Sequence, residues 1–121
     1  MKKIIFILTV LIISASAHAQ FAKTKWNGTI KGDAAQKAVF KFAKDSLVLY
    51  SADGKVIETM HYSVKNGILS MQKLSGQSDC DGTSIGQYKF VIKDGAMTLT
   101  AVSDACEDRS SALDKTTWKK G

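Results

Sequence analysis

The stretch from Cys80 to Arg109 constrains this chain more than any other. It reads CDGTSIGQYKFVIKDGAMTLTAVSDACEDR, and its two cysteines are the only two in the sequence. Two runs of alternating character, IGQYKFVI and AMTLTAV, flank Asp94-Gly95. Alternation puts every second side chain on one face of an extended strand. Asp-Gly between two such runs is a strong hairpin signal, because a type I′ turn needs positive φ at both central residues. The cysteines bracket this hairpin at its open ends, so one Cys80–Cys106 bridge would tie those ends together. The rival is a two-cysteine metal site, but the single histidine beyond the N-terminal segment, His61, falls in a separate run. The bridge is the expectation. The loop it closes contributes about 3–4 kcal/mol on the chain-entropy argument.

The first nineteen residues read as an export signal. Lys2-Lys3 form a charged start, Ile4 to Ile13 an apolar run, and Ala17-His18-Ala19 the small residues that a signal peptidase reads. A membrane-spanning helix needs about 20 apolar residues, roughly twice this run. No cysteine follows directly to carry a lipid, so no stable membrane anchor is expected. Residues 1–19 are thus expected to be a signal peptide, cleaved after Ala19, and residues 20–121 to form one domain exported through the Sec pathway to the periplasm or the medium. A chain of that size buries only about 60–65% of its unfolded surface. A disulfide made in an oxidising compartment supplies the missing stability.

Charge is uneven. Without Lys2 and Lys3, fifteen of the seventeen basic residues face eleven acids. Residues 20 to 73 hold nine lysines and four acids; residues 74 to 121 hold six basic and seven acidic residues. The lysines alternate with apolar residues rather than cluster, which describes a solvated outer face that discourages edge pairing between molecules. A single-strand nucleic-acid platform needs cation and aromatic on the same face. Lys37 and Lys41 alternate with Phe40 and Phe42 instead, so no nucleic-acid partner is expected.

From Gln20 onward the chain is strands and short turns. Alternating runs at 24–31, 37–43, 47–51, 55–64, 68–74, 85–93, 96–103 and 111–119 are separated by turn residues, including Asn66-Gly67. Proline is absent, so no strand loses a backbone donor. The closest approach to helix is one turn at GDAAQKA, 32–38. Ala105 to Ser110 reads as a second cysteine loop. Strands joined by tight turns must be antiparallel, and no long crossover exists for Greek-key connections. The expected fold is therefore all-β: an eight-stranded antiparallel up-and-down barrel with one disulfide.

Candidate chemistry is sparse. His61 stands mid-strand, with Glu58 on the opposite face of the extended chain, and no nucleophile–base spacing is present. Five acids, Asp79, Asp81, Asp104, Glu107 and Asp108, flank the cysteines. Calcium takes six to eight oxygens, but Asp81-Gly82 is turn chemistry, Asp104 can cap its own loop, and Arg109 offsets charge. Neither a metal, a cofactor nor catalytic activity is expected.

The pattern C-x5-G-x-Y-x-F, then L-x4-D-x-C-x2-R and a terminal Trp118, resembles small secreted bacterial lipocalin-like proteins. Trp26-Asn27-Gly28-Thr29 resembles the opening strand of such domains, although the usual glycine lies two residues before the tryptophan and here Gly28 follows it. The resemblance implies a calycin-like barrel over residues 20–121. It also implies structural roles for Trp26, packed beneath the barrel, and Arg109, stacked across it. The expected function is binding of a small apolar ligand by the inward residues Phe40, Phe42, Met60, Tyr62, Tyr88, Phe90, Met97 and Leu99, in a protein that acts as a monomer. The same residues would equally serve to fill a narrow barrel. The alternative is an inhibitor or interaction module for an extracytoplasmic protein, inserting the segment Gln20 to Lys25 or the loop 75–84.

Overall fold

A computed structural model describes residues 20–121; the expected signal peptide, 1–19, lies outside the described residues. The strands are β1 (Lys25–Ile30), β2 (Gln36–Phe42), β3 (Ser46–Ser51), β4 (Val56–Lys65), β5 (Ile68–Gly76), β6 (Ile85–Lys93), β7 (Ala96–Ser103) and β8 (Thr116–Lys120), with one helix, α1 (Glu107–Leu113), before β8. Each strand pairs antiparallel with the next, and β8 returns to β1 through Gly28↔Trp118 and Asn27↔Lys119. The sheet closes on itself, which leaves no edge for another chain to extend. The expected all-β, eight-stranded, antiparallel up-and-down barrel is the fold.

Two turns set register as their residues dictate. Asn66-Gly67 and Asp94-Gly95 both hold positive φ, 53° and 77° in each pair, as a two-residue I′ hairpin loop requires. The bridge joins Cys80 to Cys106 with a Cα–Cα separation of 5.4 Å, within the ordinary disulfide range.

The inner faces pack into one core. Trp26, Phe40, Phe42, Leu47, Met60, Tyr62, Leu69, Met71, Tyr88, Met97, Leu99 and Trp118 belong to a single buried cluster. Gly28 opposes Trp118, and a Cβ on it would lie 2.6 Å from the indole Cε3. The missing side chain therefore makes room for the ring. One end of the barrel is shut by the segment before β1. Phe21 is fully buried against Phe42, Trp26, Tyr62 and Phe90, with ring centroids 4.8–6.4 Å away. Lys23 N–H donates to the Phe42 carbonyl at 2.8 Å, fixing that segment across the opening. Gln20 to Lys25 is a docked plug and not the protruding arm that insertion into a target requires.

Three sequence expectations need correction. Residues 32–34 are bends and β2 begins at Gln36, so 32–38 carries no helical turn. The second cysteine loop, Ala105 to Ser110, becomes α1 from Glu107, and the last strand begins at Thr116 instead of residue 111. Glu107 and Asp108 in the first turn favour the helix through its dipole. The third concerns Arg109. It does not stack on Trp26: the guanidinium is bound to Asp104, while Trp26 sits against Phe21 toward the plugged end and donates its indole N–H to Thr24. An ion pair with a buried carboxylate outweighs what an indole face offers.

Candidate functional site

The opposite end of the barrel is covered by α1 and the disulfide loop, and between them and the strand ends lies a cavity of about 390 Å³. Its apolar wall is Ile30, Leu49, Ile57, Met60, Ala112 and Leu113. Its polar wall includes Glu58, Ser78 and Arg109. Volumes of about 300–1,000 Å³ with an apolar lining and few polar groups are typical of small-molecule sites.

Local sequence explains how each wall forms. Alternation along β4 turns Glu58, Met60 and Tyr62 inward together, so a carboxylate is carried into the mouth by the same period that buries its apolar neighbours. Along α1, Arg109 and Leu113 are one turn apart and are the helix's two buried residues. Lys31 N–H donates to the Ala112 carbonyl at 3.0 Å, which pins the helix to the end of β1.

Arg109 is the centre of the site, only 5% exposed. Its Nε donates to Asp104 Oδ2 and its Nη2 to Asp104 Oδ1, both at 2.8 Å. Nη2 also donates to the Ser84 carbonyl at 3.2 Å. Asp104 accepts two further bonds, from the Tyr88 hydroxyl at 2.6 Å and from Cys106 N–H at 2.9 Å. The disulfide thus fixes the backbone that presents the carboxylate. Gly86 opens the space: a Cβ there would lie 2.6 Å from Arg109 Nε and closer still to Asp104.

Electrostatics follow from this network. Burial pushes the Asp104 carboxyl up, but the hydrogen bonds from Arg109, Tyr88 and Cys106 outweigh it and hold the group below its usual value. Burial lowers the Arg109 pKa, and Asp104 more than restores it. The Tyr88 hydroxyl is pushed well up by burial and by its bond to Asp104. At neutral pH the site therefore holds a guanidinium, a carboxylate and a neutral phenol. The remaining guanidinium nitrogen, Nη1, is buried and has no hydrogen-bond partner.

Glu58, also 5% exposed, accepts from Ser78 N–H at 3.1 Å and from the Ser78 hydroxyl. Asp108 accepts from Asp79 N–H at 2.8 Å, tying the disulfide loop to α1. Asp81 accepts from the N–H and hydroxyl groups of Thr83 and Ser84, which holds it at about 2. Three of the five acids around the cysteines, Asp81, Asp104 and Asp108, are thus engaged in turns and ties. Among the described residues, no group of three or more His, Cys, Asp or Glu side chains is placed to hold a metal ion.

Seven of the eight inward residues expected to line a ligand site are buried in the core: Phe40, Phe42, Met60, Tyr62, Tyr88, Met97 and Leu99; Phe90 is half-buried against them. Of these, Met60 lines the cavity. The Tyr62 hydroxyl donates to the Ala43 carbonyl at 2.8 Å, toward the plugged end. His61 is exposed on the outer face. Lys41 is exposed while Phe40 and Phe42 are buried. A second groove, outside β1 and β2 and lined by Lys37, Val39 and Lys119, is larger, about 520 Å³, but holds no buried charge. Of the cavity lining only Met60 was among the expected ligand residues; Glu58, weighed only beside His61, follows from extending the Met60–Tyr62 alternation back by two.

Compared with models of protein families, with curated proteins and with solved structures, the chain matches none. Among the described residues no helix is long and apolar enough to cross a membrane.

Proposed function

We propose that the protein is an exported, lipocalin-like binding protein that holds one small, largely apolar ligand at the helix-covered mouth of its barrel and performs no catalysis on it. The observation that carries this reading is the cavity of about 390 Å³, whose wall of Ile30, Leu49, Ile57, Met60, Ala112 and Leu113 meets a buried, incompletely bonded arginine. The centre of the barrel is filled by Phe40, Met97, Leu99 and Trp118, so the ligand site moves from the middle of the barrel to its mouth. Binding rather than chemistry is supported by the roles already taken by the titratable groups. Asp104 is saturated by four hydrogen bonds, and His61 faces outward.

Export is part of the same proposal. The disulfide fits an oxidising compartment, and intact mass of the recovered protein should correspond to a chain beginning at Gln20. The inhibitor reading depended on a free arm or loop. Phe21 is buried in the core, and the loop is tied at Ser78, Asp79 and Cys80. Calorimetric titration of the mature protein with medium-chain amphiphiles tests the proposal. One saturable site that is lost in Leu113→Asp supports it, provided the variant keeps the wild-type fold by circular dichroism. Absence of binding by every such amphiphile, together with tight co-purification of an extracytoplasmic enzyme, would replace it with the inhibitor reading.

A further inference from the structure

We infer that the cavity selects ligands whose polar end is a neutral hydrogen-bond acceptor, such as an amide or ester carbonyl, over those ending in a free carboxylate; this rests on the binding reading above. Two observations lead to it. Arg109 Nη1 is a buried donor with no partner, on a side chain that lines the cavity. It is the corner of the guanidinium left over once Nε and Nη2 are turned to Asp104 and Ser84. A buried donor left unpaired is unfavourable, so a ligand oxygen that accepts from it gains more than the same contact would on the surface.

The charge around that donor then decides which oxygen fits. The cavity lining carries two cations, Lys31 and Arg109, against three carboxylates, Asp33, Glu58 and Asp108. Asp104, directly bonded to Arg109, has already neutralised the guanidinium. Glu58 is close enough to raise the Arg109 pKa further. A carboxylate ligand would therefore add another anion to a site that is already net negative, after losing its own hydration. A carbonyl oxygen satisfies Nη1 without that conflict. A bare guanidinium in an apolar pocket would favour the acid; this arginine, compensated from behind, does not.

Octanamide, methyl octanoate and octanoate share one apolar tail and differ at the polar end, so the mature protein is titrated with each at neutral pH by calorimetry. The expected result is that the amide and the ester bind at least about tenfold tighter than the acid, ~1.4 kcal/mol. Glu58→Gln should narrow that gap by favouring the acid, and Arg109→Lys should remove the preference for the amide while the tail still binds. Octanoate binding as tightly as octanamide, or tighter, overturns the selectivity and leaves the binding reading standing. No binding by any of the three overturns the binding reading and the selectivity with it. Because the wild-type comparison alone decides the point, failure of Arg109→Lys to fold does not protect the inference.

Discussion

Asp104 grips Arg109 side-on, with one carboxylate oxygen on Nε and the other on Nη2, each at 2.8 Å, and with both side chains almost fully buried. A buried pair of this kind is costly to break from one side, because the survivor is left charged and uncompensated. Asp104→Asn should therefore destabilise the protein by about 3–5 kcal/mol. Replacing both partners by apolar residues, Arg109→Met with Asp104→Leu, should cost less than either single change. Urea denaturation of Asp104→Asn, of Arg109→Met and Asp104→Leu singly, and of the double variant measures this. Losses that simply add would show that the two residues do not act as a pair.

The same network gives stability a pH profile with a known sign. The native pKa of Asp104 lies below its unfolded value, so its contribution is complete above about pH 3.9 and is lost as pH falls through the native pKa. Tyr88 is shifted upward, so its contribution is complete below about pH 10 and is lost as pH rises through the native pKa. Denaturant midpoints should fall in strong acid and again in strong alkali. Tyr88→Phe should flatten the alkaline limb; a limb of unchanged steepness would assign it to other groups.

Gly28→Ala should be destabilising out of proportion to one added methyl. The new Cβ would meet Trp118 at 2.6 Å and the Thr117 carbonyl at 2.8 Å, and the fully buried indole has nowhere to move. Overpacking of this sort costs about 1–3 kcal/mol. Thermal melts with tryptophan emission as the probe should show a lower midpoint and altered native emission. A melt superimposable on wild type would contradict the packing described.

Replacing both cysteines by serine should lower stability by about 3–4 kcal/mol while leaving the barrel intact. The larger effect should be local, since Cys106 N–H and the disulfide loop position Asp104 and Ser84 around Arg109. Hydrogen exchange should therefore quicken in 77–84 and α1 before it does in β1–β4. Uniform quickening would mean that the bridge supports the whole barrel equally.

Much of the barrel was legible because a closed antiparallel sheet obeys local rules. Period-two alternation marks each strand, Asn66-Gly67 and Asp94-Gly95 mark their turns, and short connections leave one topology. The helix Glu107–Leu113 escaped because its buried positions are Arg109 and Leu113, and one arginine with one leucine makes no apolar stripe. Alternation puts Gly28 on the Trp26 face, but what it makes room for depends on a partner ninety residues away. The cavity was the least legible feature. Its lining comes from the ends of β1, β3 and β4, from the disulfide loop and from α1. Residues such as Met97 and Leu99 look like ligand contacts by alternation, yet they serve as filling.

The measurement that bears most directly on where this protein binds is methyl-resolved NMR of the mature chain titrated with octanamide. The methyl groups of Ile30, Leu49, Ile57, Met60 and Leu113 should shift together and saturate, while those of Met71, Leu69, Met97 and Leu99, in the filled interior, should stay close to their free positions. Shifts centred on Met97, Leu99 and Leu69, with the mouth unmoved, would contradict the account.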